Sequence, residues 1–293
     1  PLARLLARPN PEQTGVELLE AFYGHLQVAG NAYLEAASIS EDAPSELYVL
    51  RPDRMSVVPG ADGWPVGWEH RVGSNVSCFE RDPISNDAPI LHLKLFNPTD
   101  DWYGLSPMEA AAFSIDIHNA GGAWNKALID NAARPSGALI FTGAGGADRL
   151  SEEQFQRLKQ ELEDMHIGAA NAGRPMLLEG GLEWRPMSLS PSDMDFTEAR
   201  HSAARDIALA FGVPPMLLGI PGDNTYSNYR EANLAFWRQT ALPLAQKAAR
   251  AIEAWIGYRW LEAGVAAVSV DVENVPALTL EREALWARIA SAD

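Results

Sequence analysis

Asp195-Phe-Thr-Glu-Ala-Arg200, running on to Ile207-Ala-Leu-Ala-Phe-Gly-Val-Pro-Pro215, reads as one helix with both ends written into it. Asp195 can accept from the first-turn N–H groups that no helical carbonyl reaches, and Glu198 stands three residues later to reach back. Aspartate departs from the usual Ser or Thr of a capping box but caps well. Gly212 tolerates the left-handed conformation that closes a helix. The expected span is 196–211.

The same opening recurs three times. Thr14-Gly-Val-Glu17, Ser106-Pro-Met-Glu109 and Ser151-Glu-Glu-Gln154 each place an oxygen-bearing side chain three residues before an acceptor. Pro107 fits the first helical position, where its missing N–H costs nothing. These openings predict helices over 15–29, with Gly30 as its stop, 107–132 and 152–167. A longer helix is expected from about Asn228 to Leu261, where Leu244, Ala248, Ile252, Trp255 and Ile256 recur at helical spacing. Pro243 lies inside it and should kink or break it. A last helix is expected from Thr279 to about Ala290.

Strands are expected at 32–38, 47–51, 55–59, 66–72 and 90–95, where short, mostly β-branched or aromatic runs alternate with Pro, Gly, Asp and Asn. Further strand pieces at 138–142, 175–179 and 182–187 flank the helix at 152–167. The chain therefore reads as α+β, with helix plus sheet at the N-terminus and a small α/β module between two helices.

Composition narrows the function. The 293 residues carry 47% apolar and 21% charged side chains, as soluble globular domains do. Lys plus Arg is 23 against 39 Asp plus Glu, a net charge of −16. A protein that grips DNA needs cations to neutralise phosphates, so the chain as a whole is not a static DNA binder. Cys78 is the only cysteine, which excludes an intrachain disulfide and a cysteine-based metal site. Apolar runs such as Val213–Leu218 fall far short of the ~20 residues a membrane helix needs. The opening PLARLLARPNP does not read as a signal peptide, and its abrupt start suggests a piece of a longer protein.

Common catalytic patterns are missing. His25, His70, His92, His118, His166 and His201 show no metal-ligand spacing, and each reads as a surface or capping residue. Gly143-Ala-Gly145-Gly146 lacks the third glycine of a dinucleotide fingerprint, since Asp148 stands there, and no Gly-Lys-Ser/Thr follows; it reads as a turn. No Gly-x-Ser-x-Gly elbow occurs. Asn75-Val-Ser77 matches a glycosylation acceptor by chance spacing. Asp116, Asp130, Asp193 and Asp195 are not tied to one pocket and read as solvated or capping. The sequence predicts no enzyme, no cofactor and no metal. An unrecognised hydrolase or transferase, or a soluble protein-interaction module, are the alternatives.

An ordered set of landmarks resembles the portal proteins of tailed, lambda-like phages and prophages. It runs through Arg8-Pro-Asn-Pro11, Gly30-Asn-Ala-Tyr33, Leu50-Arg-Pro52, Ile90-Leu-His92 and Tyr103-Gly-Leu-Ser-Pro-Met108. It continues through Asn131-Ala-Ala-Arg-Pro-Ser-Gly137 and Asn171-Ala-Gly173 to the stretch quoted at the outset. No single tetrapeptide is specific, but the ordered set covers nearly the whole chain.

The resemblance implies a portal fold with an α/β wing, a two-helix stem and a small α/β clip. By chain order, 1–105 would be wing, 106–133 the first stem helix, 134–192 the clip and 193–212 the second stem helix. The segment 213–228 would hold the tunnel loop, and 229–293 the long kinked helix and wing return, with the crown mostly absent. Gly222, Asp223, Asn224, Thr225, Tyr226, Ser227 and Asn228 would project into a DNA channel. Asn224, Thr225, Tyr226 and Asn228 could hydrogen-bond phosphates weakly; read without the resemblance, the stretch is an ordinary solvent loop. The resemblance further implies a ring, usually a dodecamer, at one capsid vertex. Terminase and head–tail connector proteins would dock on it, capsid or scaffold would surround it, and double-stranded DNA would slide through without tight binding. Such a protein would assemble in the host cytoplasm and end in the virion. Twelve copies would carry a charge on the order of −200, and an acidic channel wall would repel phosphates.

Overall fold

The computed structural model describes residues 2–37, 43–130, 137–141, 151–166, 182–186, 196–220, 226–258, 267–279, 286 and 289–291. The chain divides into two compact units. The first is discontinuous, Pro1–Ala112 with Asp206–Asp293, and the second is Phe113–Arg205.

The first unit is built on one three-stranded antiparallel sheet. Strands β1 (Asn31–Ala37), β2 (Glu46–Leu50) and β6 (Ile90–Lys94) lie in the order β2-β1-β6. Alternation along β1 sends Ala32 and Leu34 to one face and Tyr33 to the other. The register carries the pattern across: Leu34 stands opposite Val49 and Leu91, and Ala32 opposite Leu93. Against that face pack helices α1 (Leu2–Ala7), α2 (Gly15–Ala29) and α8 (Leu242–Ile256). They contribute Leu18, Phe22 and Leu26 from α2, and Ala248, Ile252 and Ile256 from α8. The N- and C-terminal parts of the chain thus share one core.

The opposite face carries Tyr33, Leu50 and Ile90 and meets a second antiparallel sheet through Met55, Val57 and Trp68. That sheet has the order β3-β4-β5, from β3 (Met55–Pro59), β4 (Pro65–Val72) and β5 (Asn75–Glu80). Strand β5 was not expected from the sequence. It follows the two-residue Gly73-Ser74 turn, where Gly73 takes a φ of 60°. Positive φ at the first central residue is what tight hairpins demand.

Most capping expectations hold. Thr14 and Glu17 form the reciprocal box, and Gly30 closes α2 with a φ of 70°. Ser151 and Gln154 do the same for α5 (Glu152–His166). Ser106 is a cap of another kind: its Oγ accepts from Met108 N–H, and Glu109 does not reach back. The helix expected at 107–132 is also divided, into α3 (Pro107–Ala110) and α4 (Ala112–Asp130), with a turn at the buried Ala111. Asp195 lies outside the described residues; the helix it would cap, α6, spans Phe196–Ala210.

Pro243 does not break the long helix. Helix α7 (Tyr226–Phe236) passes through a π-helical turn, Trp237–Ala241, directly into α8. Leu242 N–H donates to Trp237 O, five residues back. Proline cannot supply an N–H and crowds the carbonyl four residues earlier, and a wider turn just before it relieves both problems. Residues 259–261 and most of 279–290 lie outside the described residues, as does the strand expected at 175–179.

In the second unit, β7 (Gly137–Phe141) pairs antiparallel with β8 (Leu182–Pro186). Helices α4 and α6 approach closely where α4 has no side chain. A Cβ on Gly121 would lie 2.7 Å from Arg200 Cγ, whereas one on Gly122 would meet nothing.

Candidate functional site

Two places concentrate the chain's special geometry. The first is the junction that launches α3 and α4. Gly30 and Gly104 approach so closely that a Cβ on either would overlap the other's carbonyl oxygen. Asn31 fastens the two strands of backbone. Its Nδ2 donates to Ala29 O at 2.8 Å, and its Oδ1 accepts from Gly104 N–H at 2.8 Å. His92 Nε2 sits 2.9 Å from the same Oδ1, and the imidazole stacks on Tyr33 with centroids 4.2 Å apart. Oδ1 has no proton, so the ring must carry its own on Nε2.

Burial, with Lys94 nearby adding to it, lowers His92 to a pKa of about 3. It is therefore neutral at physiological pH and is a structural member of the junction, correcting its sequence reading as a surface or capping residue. Tyr103 Oη accepts from Val57 N–H at 2.9 Å. Ser106 Oγ lies 3.0 and 2.8 Å from the carbonyls of Gln27 and Val28 at the end of α2, besides capping α3. Arg8-Pro-Asn-Pro11 has a similar fastening task. Asn10 is 4% exposed, donates to Leu47 O at 3.0 Å and accepts from Glu12 and Gln13 N–H. These landmarks hold backbone in place.

The second place is the segment after α6. Val213 N–H donates to Ala208 O, Gly212 N–H to Leu209 O, and Gly212 has a φ of 66°. This pair of bonds around a left-handed glycine is a Schellman closure. Thr240, in the π turn, donates from Oγ1 to Gly212 O at 2.6 Å. A 3₁₀ turn at Pro215–Leu218 follows, ends at Gly219 with a φ of 69°, and packs on α7. Ile220 is buried beyond it. Gly222, Asp223, Asn224 and Thr225 lie outside the described residues. Tyr226, Ser227 and Asn228 form the first turn of α7, so that helix opens two residues before its expected start. The structure fixes both flanks of the loop read from the sequence.

Among the described residues no group of three or more His, Cys, Asp or Glu is placed to hold a metal, and no helix is long and apolar enough to cross a membrane. Cys78 is free and exposed. Asp116 is exposed, while Asp193, Asp195 and the Gly143–Gly146 run lie outside the described residues.

The family model for phage portal protein matches residues 1–292. The chain belongs to the phage portal protein family. An uncharacterized protein of Rickettsia bellii (strain RML369-C) is 45% identical over 293 residues, all of this chain and 74% of that protein. The portal protein of Enterobacteria phage HK97 is 28% identical over 259 residues, 87% of this chain and 58% of its own. Among solved structures, a chain in the virion of a native gene transfer agent particle is 55% identical. The match covers 100% of this chain and 80% of that one, with a TM-score of 0.76. A chain in the neck of a native gene transfer agent particle, computed with C12 symmetry, is 54% identical over 99% of this chain and 79% of that one, with a TM-score of 0.75. An HK97-family phage portal protein from Corynebacterium diphtheriae shares the fold at 17% identity, covering 85% of this chain and 74% of its own, with a TM-score of 0.57. The portal protein is α+β as expected, and its role is structural.

Proposed function

We propose that this portal protein is the repeating subunit of a closed ring, usually of twelve copies, through which double-stranded DNA enters and leaves a particle. The observation that carries the reading is the 54% identity to a chain within a C12-symmetric neck. In this reading the discontinuous first unit supplies the wing, 1–105 and 229–293. Stem helices occupy 106–133 and 193–212, with the clip at 134–192 between them. The clip would receive terminase and, later, head–tail connector proteins, with capsid or scaffold around the ring. The subunit would be assembled in the host cytoplasm and carried in the virion. It performs no covalent chemistry and needs no cofactor or metal, so the energy for DNA movement comes from the docked motor.

The tunnel loop belongs to 213–228, with Gly222–Asn228 facing the channel. Support comes from its flanks: a Schellman closure, an αL glycine and the Thr240 bond hold its start, and α7 holds its end. A short polar segment between two fixed ends can move without disturbing the frame. Deleting Gly222–Ser227 should leave ring formation intact while packaged DNA per particle falls severely. Normal DNA content in particles carrying the deletion would remove the loop from the mechanism.

A further inference from the structure

Among the described residues sheet β3-β4-β5 has two free edges, and only one is protected. On β3 the register shifts between Val58 and Pro59, and the proline has no N–H to offer. A bulge and a proline are two of the devices that keep an edge from recruiting another strand. Strand β5, Asn75-Val-Ser-Cys-Phe-Glu80, contains no proline, no lysine and no register shift.

Its outward groups can be assigned. Asn75, Ser77 and Phe79 stand opposite Val72, His70 and Trp68, and Arg81 N–H donates to Val66 O at 2.9 Å. In an antiparallel ladder inward and outward bonding alternate, so Val76, Cys78 and Glu80 turn their N–H and C=O to the free side. All three are exposed.

Beside this edge lies a groove of about 540 Å³ whose walls include Trp64, Val66, Trp68, Phe79 and Arg81. Trp64 is 75% exposed, and Ile84 on the adjoining turn 94%. Trp68 is only 3% exposed, yet its Nε1–H finds no acceptor among the described residues, and neither does Arg81 Nε. The Arg81 guanidinium lies over the Trp68 ring, 5.3 Å from its centroid, at the floor of the groove. The charge around the groove is one-sided: Asp62, Glu69, Glu80 and Asp82 against Arg81. An acidic rim of this kind favours a basic occupant.

We propose that the β5 edge is a strand-addition site for an extended, basic segment of a different protein. Its backbone pairs with Val76, Cys78 and Glu80. It places apolar side chains against Val76 and Cys78 and a Lys or Arg against Glu80. Backbone pairing supplies the affinity and the groove the selectivity.

The test uses a fluorescein-labelled octapeptide of alternating Val and Lys, the same peptide with Glu for Lys, and the Val/Lys peptide with alternate amides N-methylated. The Val/Lys peptide should bind and slow amide exchange at Val76, Cys78 and Glu80. N-methylation should weaken binding about tenfold or more, a difference of ~1.4 kcal/mol or greater, because it removes pairing and keeps charge. Cys78→Pro removes one outward N–H at a position where an edge strand tolerates proline, so β4–β5 pairing should persist while binding is lost. Equal binding of the N-methylated peptide would overturn the proposal by reducing the contact to charge alone. So would equal binding of the Glu peptide. Peptide-free protection of these amides that appears on self-association would also overturn it, by assigning the edge to a second copy.

Discussion

His92 shows how a single residue of this portal protein earns its place. Its folded pKa of about 3 lies below the ~6.5 of an unfolded histidine. The native state therefore favours the neutral ring, and the unfolded state binds the extra proton between those values. Stability from this group is complete above about pH 6.5 and declines as pH falls toward 3, by about 1.4 kcal/mol per pH unit in that window. Denaturant titrations of wild type and His92→Asn between pH 7 and 4 should show the wild type losing stability more steeply; parallel curves would contradict the buried, neutral assignment. At Gly30 two costs combine, a φ of 70° and overlap with the Gly104 carbonyl. Gly30→Ala should cost more than about 3 kcal/mol in urea unfolding.

The sequence carried part of this residue-scale picture. Gly30 was legible as a helix stop, because left-handed closure is a local demand. His92 was not, because its burial comes from Tyr33 and Asn31 on a neighbouring strand. A signal existed: His92 alternates with Ile90, so both point to the same face of β6, and Ile90 is buried.

At the scale of elements, the adjoining glycines of α4 make a paired experiment. Gly122 has open space around its missing Cβ, whereas Gly121 lies beneath the Arg200 side chain. Gly122→Ala should stabilise by up to about 1 kcal/mol through helix propensity. Gly121→Ala should gain less or lose stability, since overpacking costs ~1–3 kcal/mol. Equal thermal shifts in the two variants would show that α4 and α6 do not meet there. Element boundaries were readable where caps are local, as at Thr14 and Ser151. They failed where the cause is longer-ranged. Pro243 announced a defect, but a proline alone does not say whether a break or a π turn absorbs it. Strand β5 escaped notice because nearly all of it is exposed on both faces, so the short alternation of Val76 and Cys78 with Asn75 and Ser77 marks no buried face. The loop expected over Gly222–Asn228 ends earlier than read, since Tyr226–Asn228 are helical.

At the scale of the molecule, the acidic balance bears most directly on the proposed ring. In the proposed ring, 39 acidic against 23 basic residues would give a channel wall that repels phosphates. Neither the ring nor its symmetry is written in one chain, because closure depends on the angle between copies. Cryo-electron microscopy of the full-length protein tests this directly. The account predicts closed rings with a central hole, twelve-fold in projection, with α4 and α6 in the stem. Monomers or open filaments at every protein concentration would contradict it.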